Sequence, residues 1–155
     1  MISVLDGILS SYYRVCQTVP LAEEAADLFP HNREFWLKCA DQEMGHDEVF
    51  KADMIESFGP HIEELIANFR PSPNLVDLLN WVNKEELNHL AYRYFLELWA
   101  VAPDTVAVRD FYSEYLPNFI RLHEDADTEH FQEVANMLLG VDIMDKIQYI
   151  ASKII

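Results

Sequence analysis

The chain has 155 residues, half of them apolar, and its eleven basic and 27 acidic side chains leave a net charge of −16. That length fits one domain, residues 1–155, with a full-sized core. The acidic excess argues against nucleic acid or an anionic membrane surface as a partner and is compatible with a cation. Two cysteines, Cys16 and Cys39, make no disulfide framework and no Cys-x-x-Cys pair. The first residues lack the basic segment of a signal peptide, and no apolar run approaches a membrane span, so the cytoplasm is the expected compartment.

The hydrophobic pattern is helical throughout. A first helix is expected over residues 2–18, with Pro20 interrupting it or restarting it as a second piece that ends near Phe29, before Pro30. A long helix follows over 32–58, closed by Gly59 and Pro60, and then a short amphipathic piece over 61–69. Residues 70–73, with two prolines, form a loop. The pattern resumes as a long helix over 74–101. A turn at 102–104 offers Asp104 as N-cap for a helix over 105–115. Pro117 kinks that helix or opens the next, which runs to Leu139 before Gly140, and a short helix over 142–152 ends the pattern. The expectation is an all-α domain of about six or seven helices.

Three residues stand out on the helix that ends at Leu139. His123, Asp127 and His130 lie at i, i+4 and i+7, so at about 100° per residue the two histidines point within roughly 20° of each other. They share a stripe with Leu116, Phe119, Ile120, Phe131, Val134 and Leu138. Ionisable groups in an apolar stripe are costly unless something pairs them. A metal does so, because imidazole and carboxylate are its ligands. A second constellation is Glu43 and His46 at i and i+3, behind Trp36, Cys39 and Ala40 and ahead of Phe50 and Met54. Two such sets on different long helices are how bundles assemble a dinuclear site.

A third helix should supply a carboxylate. Glu86 and Glu97 are both candidates, eleven residues apart and hence on nearly the same face. Glu86 sits near the middle of the expected 74–101 helix, as Glu43 and Asp127 do in theirs, and it heads a second Glu-x-x-His with His89. Glu97 lies about a turn from the helix end. Arg93 stands between the two and can pair with either. His89 is a weaker candidate ligand or a solvated flank. The sequence contains no phosphate-binding glycine loop, nucleophile elbow or His-Glu-x-x-His zinc motif.

Glu-x-x-His on one helix, a glutamate on a second and His-x-x-x-Asp-x-x-His on a third resemble the haem-oxygenase-like di-iron oxidases and oxygenases, relatives of the TenA and PqqC folds. The stretch from Asp41 to Asp47 resembles that family's first ligand helix, the stretch from Glu85 to His89 its second, and His123, Asp127 and His130 match its third motif. The resemblance covers roughly residues 10–140. It implies a haem-oxygenase-like helical bundle holding two iron ions, with Glu43, His46, Glu86, His123, Asp127 and His130 as ligands. It further implies O2-dependent oxidation of a small organic substrate related to amino acids or fatty acids. A homodimer is compatible with it. The chain is short for the family, and His89 has no place in the family's scheme.

Two other resemblances compete. A ferritin-like di-iron bundle would use Glu43 with His46, Asp127 with His130, and Glu24 and Glu86 as single carboxylates, leaving His123 without a role. A metal-free TenA-like protein acting on a thiamin-related ligand would use a pocket cysteine, for which Cys39, one turn before Glu43, is placed.

Overall fold

The computed structural model describes residues 3–102 and 105–154, with residues 101 and 125–128 described by backbone alone. Every regular element among them is helical: nine α-helices and one short 3-10 turn. The chain divides into two compact units, Met1–Ser72 and Pro73–Ile155.

In the first unit, α1 (Val4–Leu28) starts at a reciprocal cap. The Asp6 backbone N–H donates to Ser3 Oγ at 3.1 Å, and the Ser3 N–H donates back to Asp6 Oδ2 at 3.3 Å. The helix continues through Pro20, against the expected interruption. Pro20 removes one intrahelical bond, but Ala22, Ala25 and Ala26 are buried just beyond it. Their small side chains let the next helix pack closely along α1, and that packing outweighs the lost bond. After a 3-10 turn at Pro30–Asn32, α2 (Arg33–Glu43) buries Trp36, Cys39 and Ala40.

The expected continuous helix over 32–58 is two helices. Met44 takes an extended conformation and Gly45 a left-handed one, φ 85°, before α3 (His46–Phe58) begins. Glycine reaches that region without the steric cost other residues meet. Phe50, Asp53 and Met54 are buried in α3, and Phe50 stacks against Tyr12 of α1 with centroids 5.6 Å apart. α4 (Ile62–Asn68) is tied to α3 by Lys51 and Glu63 at 2.9 Å.

In the second unit, the expected helix over 74–101 also breaks, giving α5 (Pro73–Val82) and α6 (Glu86–Val101). The freed Trp81 carbonyl accepts from the Lys84 N–H at 3.1 Å and from Asn88 Nδ2 at 3.0 Å, so the break leaves this part-buried acceptor satisfied. α7 (Val106–Ser113) and α8 (Pro117–Met137) follow, the latter opening on Pro117 in its first turn. Asp104, the expected N-cap, lies outside the described residues. α8 packs along α6, and α9 (Met144–Ile154) lies against α5 and α6. Lys146 of α9 donates to Asn88 Oδ1 and to Glu85 Oε2, and Trp81 and Tyr149 stack 4.7 Å apart. The helix count exceeds the expected six or seven because two long amphipathic segments each bend once. No helix among the described residues is long and apolar enough to cross a membrane.

Candidate metal-ligating residues

In the first unit, Glu43 closes α2 and His46 opens α3, on either side of the Met44–Gly45 turn. His46 Nδ1 lies 3.0 Å from Glu43 Oε2, with side chains 13% and 10% exposed. They meet through the left-handed turn rather than across one helix face. A carboxylate oxygen only accepts, so Nδ1 carries the proton of this contact. Cys39, one turn before Glu43, is buried, while Cys16 of α1 is half-buried beside Tyr12. Burial pushes both the Tyr12 hydroxyl and the Cys16 thiol up; their mutual hydrogen bond adds to the rise at Tyr12 and offsets part of it at Cys16.

In the second unit, His89, Arg93 and Glu97 recur every four residues along one face of α6, and all three are buried, at 2%, 3% and 7% exposure. His130 of α8 is also buried. Glu97 Oε1 is the point where Arg93 and His130 converge. Arg93 Nη2 donates to it at 3.1 Å, and His130 Nδ1 lies 4.0 Å from the same atom. His89 Nδ1 lies 2.7 Å from Asn83 Oδ1 in the bend before α6. Burial first, and the Arg93 charge second, hold its imidazole well below the usual histidine range, so it is neutral. On α8, His123 Nδ1 donates to the Phe119 carbonyl at 2.9 Å.

Glu43 and His46 thus form one carboxylate–imidazole pair, and Glu97 with His130 another. Glu86, favoured as a mid-helix residue, is instead the first residue of α6, because the helix breaks at 83–85. It stands about 16 Å of helix rise from Glu97. His89 stands about 12 Å of rise from Glu97, with Arg93 between them. The side chain of Asp127 lies outside the described residues. The sequence offers Glu97 as the alternative to Glu86. The bend at Asn83, which decides between them, has as its only sequence signal the polar run Asn83-Lys84-Glu85-Glu86 in an otherwise apolar helix pattern.

The second unit's donors suit a divalent ion in kind and spacing. Two ligands with bonds of about 2.0–2.2 Å to one ion lie roughly 3–4 Å apart, and Glu97 Oε1 and His130 Nδ1 are 4.0 Å apart. A mixed carboxylate and imidazole set suits iron, manganese or zinc. A histidine ligand typically donates its other ring N–H to a carbonyl or carboxylate, as His123 and His46 do. No family model matches the chain, and no curated protein or solved structure matches it either.

Proposed function

We propose that this protein binds divalent metal, with iron as the working ion, and carries out O2-dependent oxidation of a small organic substrate. The observation that carries the reading is the burial of Glu97 and His130 on facing helices, 4.0 Å apart. The sequence pattern offers His123 and Asp127 on α8 as further donors beside them, and Glu43 and His46 as a separate carboxylate–imidazole pair in the first unit. His123 and His130 are separated by about 10 Å of rise along one face of α8. That separation favours two ions over one and supports the haem-oxygenase-like reading, in which His123 has a role, over the ferritin-like one. Glu97, rather than Glu86, is the proposed carboxylate from α6. Iron held by such a set supplies O2 activation, and open coordination positions admit substrate. The chain's own contribution is to fix the imidazoles: the carbonyl of Phe119 sets the His123 tautomer and aims Nε2.

A second reading is favoured by one contact, the 3.1 Å bond from Arg93 to Glu97. In that reading Glu97 is half of a structural ion pair and the protein is a metal-free helical domain. Anaerobic Fe(II) loading separates the two. The metal reading expects two irons per chain by elemental analysis and, after O2 exposure, a coupled ferric pair by Mössbauer spectroscopy. It also expects the iron to fall by half or more in Glu97→Ala and His130→Ala. Iron content near zero in the unmodified protein supports the structural reading instead.

A further inference from the structure

Among the described residues, Arg93 is the sole lysine or arginine in the buried class, and Glu97 is the sole buried carboxylate of the second unit. They lie one helical turn apart on α6, with side chains 4% and 8% exposed. A buried carboxylate without a counter-charge is strongly disfavoured, and Arg93 supplies that charge. The guanidinium and the imidazole of His130 also address the same carboxylate oxygen, Oε1. A divalent ion bound between Glu97 and His130 would contend with Arg93 for that oxygen and would be repelled by its positive charge.

We propose that Arg93 is a displaceable internal counter-ion. In the metal-free protein it pairs with Glu97 Oε1 beside His130; on loading, the metal takes over Oε1 and Arg93 gives it up. Arg93 is therefore a positioning residue that makes the metal-free state foldable at the expense of metal affinity. This inference rests on the metal-binding reading above. It differs from a structural ion pair in the sign of one effect. If Arg93 only held the helix together, its removal would loosen the donors and weaken metal binding. As a competing cation, its removal tightens it.

The test is titration of the full-length, metal-free protein with Co(II), followed by calorimetry and by the visible bands of the bound ion. Arg93→Met is expected to bind Co(II) about tenfold or more tightly than the unmodified protein, since a close like charge is removed. Its thermal stability without metal is expected to fall and to recover at saturating Co(II). Arg93→Lys keeps the charge but loses the planar fork, so it serves if Arg93→Met does not fold, with a smaller tightening expected. Arg93→Met/Glu97→Gln, which removes both charges, is expected to regain metal-free stability and to lose the gain in affinity. Unchanged or weaker Co(II) binding in both single variants, with Glu97-dependent binding in the unmodified protein, overturns the counter-ion role and leaves the metal reading standing. Absence of any Glu97-dependent Co(II) binding in the unmodified protein overturns both.

Discussion

His89 shows how a single buried residue ties stability to pH. Its folded-state protonation is held below the usual range, first by burial and then by Arg93, whereas in the unfolded chain it titrates near about 6.5. The unfolded state therefore takes up a proton that the folded state refuses. The stabilising effect of neutral His89 is fully present above about pH 6.5 and is lost as pH falls below it, by at most roughly 1.4 kcal/mol per pH unit. Urea unfolding at pH 7.5 and 5.5 checks this: His89→Gln is expected to lose less stability between the two than the unmodified protein. Glu97→Ala leaves the Arg93 charge buried without its carboxylate and is expected to lower metal-free stability by about 3 kcal/mol, read from the same unfolding curves. The candidate donors were legible because histidines and carboxylates on an apolar stripe need a chemical reason. The choice between Glu86 and Glu97 was not. The two residues share a helix face, and only the bend at Asn83 puts Glu86 at the start of α6 and leaves Glu97 as the buried carboxylate.

The helices were legible as helical faces but not as separate rods. Periodicity reports which side of a segment is apolar, and a single-residue excursion at Gly45 or a three-residue one at 83–85 leaves that pattern nearly intact. At Gly45 a Cβ would meet nothing within 4 Å, so the left-handed backbone, φ 85°, is the whole obstacle to substitution. Gly45→Ala is expected to reduce stability by about 1–2 kcal/mol, measured by chemical denaturation. Pro20 is the opposite case, where the sequence predicts a break and tertiary packing overrides it. At the second bend, Lys146 of α9 reaches Asn88, Glu85 and the face of Trp81, 5.7 Å from the ring centroid. Lys146→Met is expected to cost about 2 kcal/mol, chiefly through the bond to Asn88, since Glu85 is solvent-exposed and adds little. Faster amide exchange along α9 would accompany that loss.

For the molecule as a whole, the all-helical character followed from the sequence, since the pattern held no strand period and few turn glycines. The division at Ser72 and Pro73 did not, although the loop at 70–73 marked the place, because composition is even on both sides of it. The net charge of −16 acts on the whole chain at once. Like charges repel in any compact state, and the range of that repulsion shrinks from about 30 Å at 0.01 M ionic strength to about 8 Å at 0.15 M. The Tm of the metal-free protein is therefore expected to rise by a few degrees over that salt range, and scanning calorimetry tests it. Divalent cations should raise it further at concentrations too low to screen, if specific binding rather than screening is at work.

The bond from His123 to the Phe119 carbonyl has a consequence for spectroscopy. It selects the tautomer protonated at Nδ1, whereas an imidazole free in water favours the proton on Nε2. The two forms differ in the nitrogen and carbon chemical shifts of the ring. In the metal-free protein, His123 should therefore stand apart from solvent-exposed histidines such as His61 in a two-bond nitrogen–proton correlation, and His123 becomes a built-in reporter that needs no label at the site.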